Sequence, residues 1–348
     1  MDAFYEFEKP IVSLEKKLQD LRELAKQEGV DFSEEISILE QKVSKMIDEI
    51  YAHLSPWQRV QLSRHPNRPY TKDYIDMIFP TFMELHGDRC FADDQAMLTG
   101  VATWPPATPQ IQDKEKSCES NDLDKGKTPI MIIGQQKGRS SKQKMERNFG
   151  MSRPEGYRKA MRMMLMAERA KMPVLTFIDT PGAFPGADAE QRGQAQAIAE
   201  SINLMAGLKV PTMAVVIGEG GSGGALAIGI GNKVLMQEYS FYSVISPESC
   251  ASILWSDSSL AERASEKLRM WPQELLRFGT IDDIIPEPKG GAHRNWEQAA
   301  LLLRENLIKH LSPLIGKGAQ SIVKNRLTKF RSMGIKALET TKPAESNQ

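Results

Sequence analysis

The run Gly218-Glu219-Gly220-Gly221-Ser222-Gly223-Gly224-Ala225-Leu226-Ala227 could do chemistry with almost no side chains. Five of the seven residues 218–224 are glycine. They lie between an apolar strand-like segment, Thr212 to Ile217, and an Ala/Ile-rich run, Ala225 to Ile230. Glycines there let the backbone turn sharply and leave N–H groups with no side chain above them. Such groups suit an anion or a developing oxyanion. A second turn, Asp179-Thr180-Pro181-Gly182-Ala183-Phe184-Pro185-Gly186, follows another apolar run, Val174–Ile178. Two such turns after parallel strands would gather at the sheet's carboxyl end, where open α/β sheets bind ligands. The plainer reading is that these glycines only permit tight strand-to-helix packing.

Other motifs compete for the same residues. Gly218-x-Gly220-x-x-Gly223 fits a dinucleotide fingerprint, with Glu238 about twenty residues on. Gly220-Gly221-Ser222-Gly223-Gly224 fits a nucleophile elbow, with Asp282 or Asp283 and then His293 in the order of a triad. A P-loop is excluded, because no Lys-Ser/Thr pair follows the glycines. From Lys137 to Lys171 the chain is basic, with Lys137, Arg139, Arg158 and Arg162 prominent. That segment reads either as a solvated face or as a clamp for a phosphorylated ligand or acidic partner. Ser152-Arg153-Pro154-Glu155 reads as a capping box opening a helix. On that helix Tyr157, Met161, Met164 and Leu165 form an apolar stripe, and Arg158 and Arg162 share another face.

Composition narrows the class. The 348 residues carry equal numbers of acidic and basic side chains, so nothing suggests bulk attraction to nucleic acid or membrane. No apolar run approaches a membrane span, and the first residues lack a signal peptide's pattern. Three scattered cysteines, Cys90, Cys118 and Cys250, argue against a disulfide framework and favour a reducing cytoplasm. The histidines show no H-x-x-x-H spacing, so no metal is expected in this chain.

The elements that must position the turns read as α/β. Apolar periodicity predicts two amphipathic helices over 11–50, with Ser33 as a cap. Strands are predicted at 95–102, Ile130–Ile133, Val174–Ile178, Met213–Ile217, Val234–Met236 and Tyr242–Ile245. Helices are predicted at 190–206, from 222, and over about 296–338. Residues 104–129 turn to Pro, Lys, Asp, Glu and Ser and read as an exposed insertion.

Long strings then resemble one family. They include Arg64-His65-Pro66, Gly87-Asp88-Arg89, Gln136-Lys137-Gly138-Arg139 and Arg147-Asn148-Phe149-Gly150-Met151. Pro154-Glu155-Gly156-Tyr157-Arg158-Lys159-Ala160, Phe177-Ile178-Asp179-Thr180-Pro181-Gly182-Ala183, the Gly218–Gly229 run and Gly290-Gly291-Ala292-His293-Arg294 continue the set. From about Phe4 to about Arg331 the chain resembles the alpha subunits of the bacterial and plastid acetyl-coenzyme A carboxylase carboxyltransferase. The insertion is the departure.

The resemblance implies a crotonase-like (ClpP/crotonase) ββα spiral over 56–295. An N-terminal helical hairpin (1–55) would precede it, and C-terminal helices and a tail (296–348) would follow. It implies transfer of a carboxyl group from biotin, held on a separate carrier protein and loaded by a biotin carboxylase, to acetyl-CoA, giving malonyl-CoA for fatty acid synthesis. It also implies a beta subunit in an α2β2 assembly, zinc in that partner, and acetyl-CoA held mainly there. The family's oxyanion pair falls on Gly223 and Gly224. Gly182, Ala183, Gly220 and Gly221 would shape the biotin pocket. Two other readings remain at this point: a thioesterase or serine hydrolase of the same fold using Ser222, and a non-catalytic assembly subunit.

Overall fold

A computed structural model describes residues 4–28, 31–106 and 127–334. Most of the insertion therefore lies outside the described residues, as does the polar C-terminal tail. The strands are β1 (Met83–Glu84), β2 (Met97–Trp104), β3 (Thr128–Gln135), β4 (Val174–Thr180), β5 (Thr212–Gly221), β6 (Lys233–Gln237), β7 (Phe241–Ser243) and β8 (Asp283–Ile285). They form one sheet in the order β1-β2-β3-β4-β5-β6-β8, with β7 pairing β5 off that path. The β1–β2 and β2–β3 pairs are antiparallel; every pair from β3 onward is parallel. β5 serves two partners at different levels, with Met213–Val216 on β6 and Glu219–Gly221 on β7. One sheet with a strand shared between two partners, covered by helices on both faces, makes a mixed α/β fold of the crotonase-like kind.

The central strands are apolar throughout because both faces are covered. Ile130 and Ile132 pack on one side with Leu175, Phe177, Val215 and the helix Trp296–Leu311. Met131 and Ile133 pack on the other with Ile178, Val216 and the helix Pro154–Arg169. On that helix the buried stripe is Tyr157, Ala160, Met163, Met164 and Ala167, whereas Leu165 is exposed. The true stripe is therefore turned toward Met163 relative to the sequence reading.

Five other expectations are corrected. β5 continues through Gly221, so half of the glycine run is strand, held there by β7. The helix after it spans only Ser222–Leu226. The helix expected over 190–206 is broken at Gly193, whose φ is +81°, into Ala187–Gln191 and Gln194–Gly207. Both local caps also differ. Asp31, not Ser33, supplies the capping oxygen, accepting the Ser33 N–H at 2.9 Å. Ser152 makes no capping bond, and Glu155 is taken instead by Arg192 at 2.7 Å.

The two ends of the chain are fastened differently. The N-terminal helices Lys9–Glu28 and Ser33–Ala52 form a hairpin. Glu8, at its root, accepts hydrogen bonds from the Tyr5 N–H and the Tyr51 hydroxyl, each at 2.9 Å, and meets His293 Nε2 at 3.1 Å. At the other end, Arg326 of the helix Ala319–Ser332 is fully buried without a carboxylate. Its guanidinium donates to the carbonyls of Met205 (2.9 Å), Leu208 (2.8 Å) and Val210 (2.9 Å), and to Asn232 Oδ1 (2.7 Å). It thus caps the helix Gln194–Gly207 from more than a hundred residues away. Burial pulls its pKa down to about 10, which still leaves it charged at neutral pH.

Candidate active site

The two turns touch at the carboxyl end of β4 and β5. β4 and β5 run in register to Ile178–Val216 and pair again at Thr180–Gly220, so β5 bulges between these points. Residues 217–219 lie in the bulge, opposite Asp179. A Cβ on Gly218 would come 2.5 Å from Asp179 Oδ1, so this close approach needs glycine. Beyond the bulge, a Cβ on Gly224 would lie 2.6 Å from Ala183 N and 2.6 Å from the Gly182 carbonyl carbon. Gly223 is different: a Cβ there would meet only Ile198 methyls, at 3.5 Å or more. Ser222, between the strand and the short helix, has a left-handed backbone (φ +55°), a strained choice for a residue other than glycine.

Open donors collect at this contact. Ala183 is partly exposed, and its N–H makes no hydrogen bond within the protein among the described residues. The Gly223 and Gly224 N–H groups belong to a first helical turn and lack an intrahelical acceptor. A helix of five residues has little macrodipole, so the donors themselves matter. A cavity of about 300 Å³ opens beside them, walled by Leu226, Val234, Tyr242, Val244, Phe330 and Met333 with Ser222 and Gly223 at its edge. Burial pushes the Tyr242 phenol up to about 12, so it stays neutral there.

The other predicted pocket residues lie in the strand beneath. Gly220 sits against the Tyr242 ring, and Gly221 against the Pro181 carbonyl.

An ion network underlies both turns. Lys137 Nζ lies 2.7 Å from Asp179 Oδ1 and 2.6 Å from Glu219 Oε2. Arg64 reaches Glu219 and Glu248, each at 2.5 Å. Asp179 Oδ1 also accepts the Glu219 N–H at 3.0 Å. Burial lowers the Lys137 pKa, but the two carboxylates beside it outweigh burial and raise it overall. Burial raises Glu219, yet Lys137 and Arg64 bring it below its ordinary value. For Asp179 burial prevails and the pKa rises.

The four predicted basic contacts are all engaged within the chain. Lys137 is in the network just described. Arg139 pairs with Asp73 and lies 4.4 Å over the Tyr70 ring and 4.6 Å over the Trp296 ring. Arg158 donates to the Arg192 carbonyl at 2.6 Å, and Arg162 to the His86 carbonyl. The possible triad does not form: His293 is bonded to Glu8 and His310 to Asp283, while the Ser222 hydroxyl has no described partner.

Glu8, His65 and His293 do bring three potential metal-ligand atoms within 4.8 Å of one another. His65 Nδ1 accepts the Asn67 N–H at 3.1 Å, which uses that lone pair and places the ring proton on Nε2. Neither nitrogen then offers a lone pair to a metal, and the cluster is a fastening.

Sequence reasoning missed the polar side chains that support the turns, chiefly Gln135, Thr176 and Ser201. Their signal was a polar residue inside or ending an apolar run, where burial demands a partner.

Residues 4–334 match the acetyl co-enzyme A carboxylase carboxyltransferase-like family. The chain is 48% identical to the acetyl-coenzyme A carboxylase carboxyl transferase subunit alpha of Geobacillus kaustophilus, over 96% of both chains. It is 50% identical to the subunit of the same name from Geobacter metallireducens, over 94% of this chain and 96% of that one. For the Thermus thermophilus subunit the identity is 47%, over 94% and 98%. Among solved structures, the beta subunit of geranyl-CoA carboxylase from P. aeruginosa aligns at a TM-score of 0.49 with 16% identity, over 76% of this chain and 47% of that one.

Proposed function

The chain belongs to the acetyl-CoA carboxylase carboxyltransferase family as an alpha subunit, and from that premise we propose where it contributes to the reaction. The N–H groups of Gly223 and Gly224, with that of Ala183 beside them, form the hole for an oxygen that gains negative charge during transfer. The observation that carries this is the contact between the two turns. Gly224 packs so closely on Gly182 and Ala183 that no side chain fits, and open donors flank that contact.

The site suits the ureido ring of biotin. Unbonded N–H groups offer donors to its oxygen, and the neighbouring apolar cavity of about 300 Å³ offers walls for its rings. Biotin, attached to a separate carrier protein and loaded by a biotin carboxylase, supplies the carboxyl group that acetyl-CoA receives to become malonyl-CoA. The chain's own part is electrostatic. Its backbone donors hold the ureido oxygen, and the apolar walls exclude water, which strengthens each hydrogen bond. One donor of this kind is worth roughly 2.7–4 kcal/mol in kcat. No protein base is assigned, because the carboxylates beneath the turns, Asp179 and Glu219, are bound to Lys137 and the Tyr242 phenol in the cavity wall stays neutral.

A beta subunit completes the site in an α2β2 assembly, holds most of the acetyl-CoA and carries the zinc. The cytoplasm is the compartment, as the unpaired Cys90 and Cys250 favour. No described helix is long and apolar enough to cross a membrane.

The test is malonyl-CoA decarboxylation in the presence of free biotin, assayed with the beta subunit. A Gly224→Ala subunit that still assembles should lose most of its kcat. Near-normal turnover would remove the backbone hole.

A further inference from the structure

We propose that Gln135 is the positioning residue that aims this hole, a role that rests on the reading of Gly223 and Gly224 just given. Gln135 ends β3 and is fully buried. Its Nε2 donates to the Gly224 carbonyl at 2.7 Å, and its Oε1 accepts the Asp179 N–H at 3.2 Å. One side chain thus holds both turns.

The reason it is needed lies in the backbone. The bulge between Ile178 and Thr180 interrupts the ladder at Asp179, so the Asp179 N–H needs another acceptor. Backbone N–H groups serve the carbonyls of Gly223, Ala225 and Leu226 at the end of the helix Ser222–Leu226. Buried side chains from three elements serve the Gly224 carbonyl and those of Ala227 and Ile228 beyond the helix. Gln135 serves Gly224, Ser201 serves Ala227 at 2.6 Å, and Thr176 serves Ile228 at 2.7 Å. Of these three, Gln135 is the one bonded to a residue of the hole, and it also ties β3 to the Asp179 N–H of β4. The Gly224 carbonyl and the Gly224 N–H flank one Cα. Holding the first, together with the packing on Ala183, restricts rotation of the second.

Gln135 has a diagnostic replacement. A protonated Glu at this position donates its O–H to the Gly224 carbonyl and accepts the Asp179 N–H on its other oxygen. An ionised Glu cannot donate, and it sets a negative charge against that carbonyl. Burial and the donated bond both favour the protonated form. Activity of Gln135→Glu is therefore present at low pH and falls as pH rises through the new carboxyl's pKa. The charged groups packed around this point are Asp179, Glu219, Lys137 and Arg68, all shared with the wild type. The ratio of variant to wild-type activity cancels their titration.

The experiment compares the wild type, Gln135→Leu, Gln135→Glu and Gly224→Ala, each assembled with the beta subunit. Malonyl-CoA decarboxylation with free biotin is followed from about pH 6 to about pH 8. Misplacing a catalytic donor by an ångström costs on the order of 10²-fold, so Gln135→Leu should lose ~10- to 100-fold in kcat, with KM for malonyl-CoA within ~2-fold. Gln135→Glu should regain at least ~10-fold relative to the wild type at the acid end, as one pH unit changes the ionised-to-neutral ratio tenfold. If Gln135→Leu fails to assemble, the Gln135→Glu profile decides. A Gln135→Glu ratio flat with pH, or failure of that variant to assemble at any pH, overturns the proposal. Normal turnover in Gln135→Leu while Gly224→Ala is inactive also overturns it but leaves the hole in place. Normal turnover in both removes the hole and the positioning role together.

Discussion

Two buried clusters in this molecule invite opposite conclusions. The cluster at the root of the N-terminal hairpin holds Glu8, His293, His65 and Tyr51, residues that ordinarily signal catalysis. The cluster at the ends of β4 and β5 presents mostly glycine. Yet in the first each of these side chains is bonded to another group of the chain, and His293 Nδ1, which has no hydrogen-bond partner, is shut away from solvent, while the second leaves N–H donors open beside a cavity. Chemical capacity belongs to groups left unsatisfied at an accessible place, whatever their residue type.

The largest break in that contrast should come from Gly224. Adding one methyl at Gly224 forces the two turns apart, so Gly224→Ala should lower kcat by ~100-fold or more. At Gly223 the same methyl meets only Ile198 side-chain atoms in ordinary contact. Gly223→Ala should therefore cost much less, within ~10-fold, on the same scale. Steady-state kinetics of both variants would check the ranking, and equal losses would contradict it.

The fastening cluster should respond in stability. Leaving buried donors without their acceptor costs about 1–3 kcal/mol, so Glu8→Ala, which strips the Tyr5 N–H and the Tyr51 hydroxyl of theirs, should lower the unfolding free energy by about that amount. Its kcat per assembled complex should be unchanged. A fall in kcat with unaltered unfolding would make the cluster part of the site.

A pH series sharpens the same point. Burial pushes the Glu8 carboxyl up, but the bonds from His293, Tyr5 and Tyr51 outweigh it and bring it from 4.5 down to about 2. A depressed carboxyl stabilises the fold above its unfolded pKa, and that stability is lost as pH falls through the folded one. The window is thus pH 4.5 down to about 2. Across it the wild type should lose about 3 kcal/mol that Glu8→Gln does not lose. Acid unfolding of the two proteins, compared by circular dichroism, would show parallel curves if Glu8 contributes nothing.

The smallest effect is expected at Arg158. Its guanidinium is half exposed and held by the Arg192 carbonyl. Arg158→Glu should cost at most about 1 kcal/mol of stability and leave both substrates' KM unchanged. A KM for acetyl-CoA that rises and varies with salt would return Arg158 to ligand binding.

Much of this was legible in the chain. The α/β plan, the hairpin and both turns follow from periodicity and glycine placement, and the family from long strings of residues. What stayed hidden was set by distant partners. Gly218–Gly221 read as a turn because the pairing with β7, some twenty residues on, leaves no local trace. The Ser152–Glu155 box failed because Arg192 takes Glu155. Gln135 looked like the polar end of a strand. Its role depends on a bulge in the neighbouring strands, which no spacing along the chain records.

The capping of the helix Gln194–Gly207 by Arg326 bears on how the protein is born. The chain emerges from the ribosome N-terminus first, at about 5–20 residues per second. The two glycine turns are synthesised well before the helix that carries Arg326. That helix also brings Phe330 to the cavity wall, with Met333 just beyond it. The cavity beside Gly223 therefore gains this wall only after the helix Ala319–Ser332 has been made. A nascent or truncated subunit without that helix would hold both turns and still lack a finished pocket, so synthesis of the helix is itself a checkpoint on activity.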